Sequence, residues 1–224
     1  MFSCVYSFPY HQKEKTTQFW LRQRHLDDQR DKAWLDIFCN DVCDWSGCVI
    51  LFLMKILGID PGMATIGVGV VECNGKDLSA AYFGWIETPK ENGSGERLLQ
   101  IYNETRALIK KHQPDVIALE RLFFFINART AMSVAESIGV IKLAAESEGI
   151  KVETYAPLQV KLTIAGSGKA DKKAVKSAVR SILKVRSPNK KKTHFDDLCD
   201  ALALAICYAK KNLIAEQPIG KKLE

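Results

Sequence analysis

The sequence lacks the features that mark membrane-spanning, secreted and zinc-binding proteins. Its longest apolar stretch, Val49–Met54, is interrupted by Lys55 and is too short to span a bilayer. No basic segment followed by an apolar one opens the chain, so the sequence predicts no secretory signal. Histidine occurs only four times in 224 residues, and neither histidine nor cysteine clusters at the usual zinc-ligand spacing.

The seven cysteines do not predict a disulfide framework. Four of them lie in the first 53 residues, and Cys73, Cys199 and Cys207 are scattered among apolar neighbours. This usage fits a reduced, cytoplasmic setting, with Cys199 and Cys207 as small buried residues on a helix. A zinc site within Cys39–Cys48 is the weaker alternative, because the C-x3-C-x4-C spacing lacks the C-x2-C pairs of known zinc folds.

The net charge of +6 is unevenly distributed along the chain. Residues 1–53 hold 6 Lys/Arg and 7 Asp/Glu, whereas residues 54–224 hold 26 and 19, a net charge of +7. A basic domain favours polyanionic partners such as nucleic acid, although a solvated surface explains a modest surplus equally well.

Residues 1–53 differ from the rest of the chain. They contain three of the four tryptophans and show no stable helical or strand period, whereas a clean strand pattern begins at Met54. We expect translation from Met54 to give the working protein, and residues 1–53 to be a start-site artefact or a disordered leader. The alternative is a genuine extension with a short helix near residues 32–42. Residues 54–211 then form the main domain, and residues 212–224 form a flexible tail.

Hydrophobic periodicity predicts five strands and four helices after Met54. The strands are predicted at Lys55–Asp60, Thr65–Cys73, Leu78–Thr88, Asp115–Phe124 and Lys151–Tyr155. The helices are predicted at Glu96–His112, Ala128–Glu148, Lys172–Lys184 and Asp197–Lys211. Asp171 is expected to cap the third helix.

This order of elements predicts an α/β fold with one five-stranded mixed sheet, three antiparallel strands then two parallel ones, flanked by helices. A right-handed crossover places the strand that ends in Glu120 parallel to the strand that ends in Asp60. The carboxyl ends of these strands then meet at the edge where open α/β sheets place their sites.

Four acidic residues stand where apolar elements begin or end. Asp60 and Glu120 close two strands. Asp197 and Asp200 open the last helix, three residues apart and therefore on one face. Carboxylates at the edge of a core are costly unless positive charge meets them. Because four carboxylates suit Mg²⁺ or Mn²⁺, the pattern predicts metal-assisted phosphoryl chemistry.

Each acid also has an ordinary structural explanation. Asp60 could simply begin a Pro-Gly turn, and Glu120 could end an exposed strand. Asp197 could cap the last helix, with Asp200 in its first turn favoured by the helix dipole. The occurrence of all four at element ends favours a common site.

Three motifs resemble those of the bacterial RuvC-type Holliday junction resolvases, which belong to the ribonuclease H-like superfamily. They are Gly58-Ile-Asp60-Pro-Gly62, Ala118-Leu-Glu120-x-x-Phe123 and Asp197-x-x-Asp200-Ala-Leu-Ala-Leu-Ala. The resemblance covers essentially all of residues 54–211, and residues 1–53 have no counterpart in it. It implies a ribonuclease H-like fold and a metal-dependent endonuclease that resolves four-way DNA junctions by paired symmetric nicks during recombination and repair.

The resemblance also implies roles for the acids and for partners. Asp60, Glu120, Asp197 and Asp200 match the catalytic, metal-binding acids of the family, which suggests two Mg²⁺ ions per site, or Mn²⁺ in their place. The family acts on four-way junction DNA as a homodimer, together with a branch-migration motor complex of the RuvA/RuvB type.

Four further residues match DNA-binding positions of the family. Phe123, with Phe124 beside it, occupies the place of an aromatic that stacks at the junction branch point, and Lys161 and Lys172 match functional lysines. The residues alone leave these roles open, because alternation along a strand would bury one face of Phe123–Phe125 in the core.

The charged residues around the acidic pair are similarly ambiguous. Lys169, Lys173, Lys176 and the loop Lys190–Lys192 fit either phosphate contacts or a solvated face. Asp196 fits a helix cap or a solvated residue, and His194 could assist the site or face solvent.

Other functions compete with a junction endonuclease. An actin-like sugar kinase or ATPase would share a phosphate loop such as Asp60-Pro-Gly62, but it needs a second lobe and a second Asp-Gly loop that this sequence lacks. A non-catalytic junction-binding protein would be expected to lose some of the acids. A related nuclease of ribosomal RNA precursors shares the fold, but the length, the Phe123 motif and the Asp197-x-x-Asp200 pair favour the junction enzyme.

Overall fold

A computed structural model describes residues 53–122, 128–184 and 195–214. The side chains of residues 128–130, 195–197 and 214 lie outside this description. The chain divides into two units, Met1–Phe52 and Leu53–Glu224, and every described residue belongs to the second. The predictions for the first segment and for most of the tail therefore fall outside the described residues.

The described residues contain one five-stranded sheet. Its strands are β1 (Leu53–Asp60), β2 (Thr65–Asn74), β3 (Asp77–Glu87), β4 (Val116–Glu120) and β5 (Lys151–Tyr155), in the spatial order β3-β2-β1-β4-β5. β2 pairs antiparallel with both β1 and β3, whereas β4 runs parallel to both β1 and β5. The predicted mixed sheet, with an antiparallel meander followed by two parallel strands, is confirmed.

Five α-helices accompany the sheet in the described ranges. They are α1 (Ser94–His112), α2 (Ala128–Ser147), α3 (Pro157–Ala165), α4 (Lys172–Leu183) and α5 (Phe195–Ala209), which continues into a π-helical turn at Lys210–Ile214. Asp171 caps α4 as predicted, because its Oδ1 accepts a hydrogen bond of 2.7 Å from the Ala174 N–H. None of the helices in this part of the chain is both long and apolar enough to cross a membrane.

One face of the sheet carries a core of bulky apolar side chains. Leu57 and Ile59 of β1 and Val68 of β2 are at most 1% exposed and belong to this core. Ile101 of α1 and Ile141 of α2 pack against them. Burial of a side chain of this size contributes about 1.5–3 kcal/mol, so this face supplies much of the stability of the fold.

The other face is covered by α5, which approaches β1 and β2 very closely. A Cβ atom on Gly58 would lie 1.9 Å from the carbonyl oxygen of Ala201, and one on Gly69 would lie 2.7 Å from Leu202 Cδ2. Glycine is needed at position 58 because any side chain would collide with the helix backbone, whereas a side chain at position 69 would require Leu202 to shift. α5 also contains Cys199 and Cys207, which were predicted to be buried on a helix, and both are fully buried.

The sequence prediction omits α3, the nine-residue helix Pro157–Ala165. Its start has clear local chemistry, because Pro157 occupies the first turn and the Ala156 N–H donates to Gln159 Oε1 at 3.1 Å. Leu158 and Leu162, however, are both 58% exposed. Apolar residues on the solvent side blur the helical period, which explains why the pattern did not reveal this helix.

Two predicted boundaries are wrong. The strand that contains Glu120 ends there, and Arg121 and Leu122 lie beyond it rather than within it. The last helix begins at Phe195, two residues before Asp197. Glu120 keeps its predicted place at a strand end, whereas Asp197, which was predicted to open the last helix, is its third residue.

Candidate active site

Asp60 and Glu120 lie side by side at the carboxyl ends of β1 and β4. Ile59 pairs with Leu119 in the parallel register, so the next residue on each strand is one of these two acids. Their carboxyl groups share a hydrogen bond, and both residues are half-buried. Two carboxyl groups in contact cannot both ionise easily, so a proton or a cation between them is favourable.

Asp200 approaches the same strand ends from α5. The next residue, Ala201, contacts Gly58 on β1 through its backbone, which places the preceding turn of the helix over the end of that strand. The negative charge of Asp200 is close enough to act on Glu120. The structure therefore puts Asp60 and Glu120 in contact and Asp200 near enough for its charge to act on Glu120, and the joining of all four acids in one cluster stays a prediction.

Two lysines lie beside these acids. Lys172, the first residue of α4, places its Nζ 3.7 Å from Asp200 Oδ2. Lys161 lies on α3, and the charges of both lysines favour the ionised form of Glu120. Lys172 therefore contacts an acid of the candidate site, whereas Lys161, on the helix that the sequence prediction omitted, is linked to the site by the effect of its charge on Glu120, and their DNA-binding roles stay predictions.

Glu120 shows the balance of charge at the site. Burial raises the pKa of Glu120 above its ordinary value, and the charge of Asp200 raises it further. The hydrogen bond with Asp60 and the charges of Lys172 and Lys161 act in the opposite direction without cancelling the rise. The lysines therefore do not offset the burial of Glu120, and a bound cation would favour its ionised form.

Two buried polar side chains hold the loop that follows Asp60, and the sequence analysis missed both. The Ser137 hydroxyl on α2 donates to the Gly62 carbonyl at 2.8 Å. Thr88 donates through its N–H and its hydroxyl to the carbonyls of residues 63–64. A serine on the buried side of an apolar helix is the signal that could have identified Ser137, because buried hydroxyls require partners.

Several predicted site residues are described only in part or not at all. The backbone of Asp196 and Asp197 lies in the first turn of α5, but their side chains are not described. Their contacts with the other acids therefore stay predictions. Wholly outside the described residues lie Phe123, Phe124, Phe125, Lys190, Lys191, Lys192 and His194.

The donor atoms of the site suit a hard divalent cation. Asp60, Glu120 and Asp200 offer carboxylate oxygens, the ligands that Mg²⁺ and Mn²⁺ prefer. Among the described side chains, no group of three Asp, Glu, His or Cys residues is arranged so that it could hold a metal ion. The contact between Asp60 and Glu120 supplies two carboxyl groups, and a metal site that adds Asp200 and Asp197 stays a prediction.

Comparison with known proteins agrees with this geometry. The family model described as crossover junction endodeoxyribonuclease RuvC matches residues 56–208. A crossover junction endodeoxyribonuclease RuvC of Desulfitobacterium hafniense is 45% identical over 156 residues, which cover 70% of this chain and 92% of the relative. The corresponding protein of Chloroflexus aurantiacus is 45% identical over 156 residues, which cover 70% of this chain and 93% of the relative.

Solved structures show the same similarity. The structure of T. thermophilus RuvC in complex with Holliday junction substrate matches with a TM-score of 0.64 and 31% identity, covering 70% of this chain and 93% of that chain. The yeast mitochondrial Holliday junction resolvase Ydc2 matches with a TM-score of 0.51 and 16% identity, covering 71% of this chain and 81% of that chain. At that identity the second match shows the fold alone.

The fold and the site define a metal-dependent nuclease of the ribonuclease H-like class. The chain belongs to the RuvC family of crossover junction endodeoxyribonucleases. Its function is the resolution of four-way, or Holliday, DNA junctions in recombination and repair.

Proposed function

We propose that the nuclease site consists of Asp60, Glu120, Asp197 and Asp200 and works with Mg²⁺, two ions per site, or with Mn²⁺ in their place. The observation that carries this proposal is the contact between the Asp60 and Glu120 carboxyl groups at adjacent parallel strand ends. Four carboxylates around one point are suited to the two-metal arrangement of phosphodiester hydrolysis.

The bound metal would supply an activated water and relief of charge on the leaving oxygen. The chain holds the carboxylates in place before the substrate arrives. Pairing of β1 with β4 fixes Asp60 beside Glu120, and the Ser137 hydroxyl fixes the following loop. Gly58 lets α5 approach β1 closely, and we propose that this approach brings Asp200 to the site. Groups fixed in advance need little reorganisation during the reaction.

We propose that Lys161 and Lys172 hold the phosphates of the strand to be cut. The proposal is supported by the effect of both positive charges on the pKa of Glu120, which they lower. Lys172 pairs with Asp200 in the free protein, and a phosphate oxygen would offer it a second anionic partner. Such contacts position the strand without reading its sequence.

Phe123 and Phe124 are proposed to stack at the branch point, three and four residues after Glu120. Bases at a branch point can be unstacked at lower cost than bases in continuous duplex. Phe123→Ala should therefore reduce junction cutting strongly and leave metal binding unchanged. If the variant instead loses the about 3–5 kcal/mol of stability typical of a core Phe→Ala change, and its activity follows the folded fraction, Phe123 is a core residue.

We infer that the enzyme acts as a twofold-symmetric dimer through the exposed side of α2. Met132 and Leu143 are 66% and 60% exposed, and a Cβ atom on Gly139 between them would meet open space. These three residues lie on one line along the helix, at intervals of seven and four. A C2 dimer presents two sites related by symmetry, as two opposed cuts in a four-way junction require.

Sedimentation of the Leu143→Glu variant tests this surface. A charge at a self-complementary interface is repeated across the twofold axis, so the variant should be monomeric and should lose paired cutting. Leu53→Glu, at a position that is 46% exposed at the far end of β1, is the control. A Leu143→Glu dimer as stable as the parent would exclude α2 as the interface.

We also propose that the enzyme works together with a branch-migration motor of the RuvA/RuvB type and that it is located in the cytoplasm. The proposal assigns the activity to residues 54–211, because the family match begins at residue 56. A chain that starts at Met54 should fold and cut like the full chain. Inactivity of the shorter chain alone would show that residues 1–53 contribute.

The decisive experiment compares a mobile four-way junction with a duplex of matched sequence, in Mg²⁺ and in EDTA. We expect paired nicks in the junction with Mg²⁺, no cutting in EDTA, and little cutting of the duplex. Equal cutting of both substrates would contradict junction resolution, and cutting in EDTA would contradict the metal site.

A further inference from the structure

A tryptophan on the edge strand β3 lies in the same cross-strand row as Asp60. Asp60 pairs with Gly67 of β2, and Gly67 pairs with Trp85 of β3. Residues that pair directly across antiparallel strands project to the same face of a sheet. Trp85 therefore belongs to the face that carries the acids, two strand spacings or about 10 Å from Asp60.

The indole of Trp85 is 46% exposed. One exposed aromatic residue is ordinary on a protein surface, so exposure alone assigns it no role. Its position is the distinguishing feature, because Gly67 contributes no side chain to the row that joins it to the candidate catalytic acid.

The basic helix α4 lies on the same side of the sheet. It contacts both β3 and α5, and Lys172–Leu183 contains no acidic residue. Lys172, Lys176 and Arg180 recur every four residues and form one row along the helix. Because Lys172 lies 3.7 Å from Asp200, the row begins at the acids and leads away from them.

We propose that Trp85 is a stacking platform for the DNA strand that enters the site, while the cationic row of α4 holds the phosphates of that strand. The proposal rests on the proposed function, since it takes Asp60 as the point of cutting. Along a duplex axis one strand has a phosphate about every 3.4 Å, so about 10 Å of axis corresponds to roughly three nucleotides between the stacked base and the scissile phosphate.

The charge of α4 identifies the occupant as DNA rather than a second protein, because regularly spaced cations beside an aromatic ring match a phosphate backbone with bases. The platform differs from the proposed branch-point contact. Phe123 follows β4, whereas Trp85 lies on β3, so the two aromatic residues come from opposite sides of β1 in the strand order.

Fluorescence of Trp85 tests the proposal in the full-length protein. Replacing Trp20, Trp34 and Trp45 with phenylalanine leaves Trp85 as the sole tryptophan. Titration with a four-way junction in EDTA should quench its emission, with saturation at the junction concentration that saturates the anisotropy of a labelled junction. Unchanged emission at saturating junction would overturn the proposal.

Affinity provides the second readout. Trp85→Ala should raise the junction Kd about tenfold, whereas Trp85→Phe should stay within about twofold because it keeps an aromatic face. Leu53→Ala is the matched control, since Leu53 has the same 46% exposure at the opposite end of β1, and its Kd should not change. A Trp85→Ala variant that binds like the parent would also overturn the platform.

Thermal melts show whether Trp85→Ala is folded, and the quenching experiment decides the question if it is not. Cutting in Mg²⁺ separates this inference from the proposed function. If the parent cuts junctions but Trp85 is not quenched, only the platform is wrong. If Trp85 is quenched but the parent does not cut, the platform stands and the proposed nuclease site is wrong.

Discussion

The two faces of the sheet carry side chains of different size and charge, and β1 contributes to both. Leu57 and Ile59 lie in the core with α1 and α2 and are at most 1% exposed. Gly58 and Asp60 alternate with them, and Gly58 lies against the backbone of α5. Large apolar side chains fill one face. On the other face, glycines without side chains allow α5, which carries Asp200, to approach the sheet.

Within β1, the residues on one face therefore contribute to stability, and the acidic residue on the other face belongs to the candidate active site. The acids of the second face are costly to ionise, because burial first and the charge of Asp200 second raise the pKa of Glu120. Groups arranged for reaction are often unfavourable for folding, and the remaining structure must offset them. The apolar face, which fixes the backbone of β1 and β4, provides that support.

The largest expected effect comes from neutralising the acids of the second face. Asp60→Asn or Glu120→Gln should reduce junction cutting by about a thousandfold or more, because a metal site contributes several kcal/mol to transition-state stabilisation. Thermal stability should be retained or should rise, since each change replaces a partly buried carboxyl group with a neutral amide. Cutting assays in Mg²⁺ and calorimetric melts measure the two quantities.

Junction binding provides the control for this prediction. The basic surface should supply most of the affinity, so both variants should bind nearly as the parent does. Glu72→Gln is a matched change, because Glu72 lies on the same sheet but pairs with Lys55 at 3.8 Å. Loss of binding in parallel with loss of cutting would show that the acids and the binding surface are not separate.

The second prediction concerns the close approach of α5. Gly58→Ala should destabilise the fold by about 3 kcal/mol, at the upper part of the usual range for overpacked cores, because its Cβ would meet a backbone carbonyl. Gly95→Ala in the first turn of α1, where a Cβ meets nothing, should instead be neutral or stabilising. Equal melting temperatures for both variants would mean that α5 can shift freely.

The sequence predicted the paired acids because their positions follow from strand ends. Asp60 and Glu120 each close an apolar run, and the crossover rule makes the two strands parallel, so their meeting needs no knowledge of side-chain packing. Ser137 was missed for the opposite reason. Its partner is a loop carbonyl 75 residues away in sequence, and only the packing of α2 brings the two together.

Helix packing also decides the details that the sequence could not provide. The sequence shows the glycines of β1 and β2, but it does not show their contacts with Ala201 and Leu202, because these contacts depend on the position of α5. The pairing of Lys172 with Asp200 likewise depends on how α4 packs beside α5. The row that joins Asp60 to Trp85 follows from the strand register, which periodicity alone does not fix.

A smaller effect is expected where α1 meets α2 on the apolar face. Glu148 accepts a hydrogen bond of 2.6 Å from Arg106 Nε, and Lys110 Nζ lies 3.5 Å from it. The bond to Arg106 is the main cause that lowers the pKa of Glu148, against an opposing effect of burial. A lowered folded-state pKa stabilises the protein above the unfolded value of about 4.3, and that contribution is lost as the pH falls through the folded value.

Melts of Glu148→Gln over a pH series test this contribution. The variant should melt below the parent at pH 7, and the difference should shrink as the pH falls below about 4.3 and disappear once the pH is below the lowered folded-state pKa of Glu148. Glu146→Gln, an exposed position of α2, should show no such difference. A difference that persists at low pH would mean that the glutamine side chain disturbs packing.

The smallest expected effect concerns His112 at the end of α1. Its ring stacks on Tyr82 of β3 at 4.6 Å, and its Nε2 is buried without a hydrogen-bond partner in the described part of the chain. Burial is the first cause that lowers the pKa of His112, followed by the charges of Lys111 and Lys55. Its position at a helix C-terminus would favour the protonated ring, but burial and the two lysines outweigh that effect.

The sign of the pH dependence follows from this lowered pKa. As the pH falls through about 6.5, the unfolded chain binds a proton that the folded chain still refuses, so stability decreases until the folded pKa is reached. The parent should therefore melt at a lower temperature at pH 5.5 than at pH 7. In His112→Gln that decrease should be smaller, because the remaining histidines are common to both proteins and their contributions cancel in the comparison. A decrease of the same size in parent and variant would show that His112 is protonated equally easily in both states, and that the stacked ring adds no pH sensitivity to the apolar face.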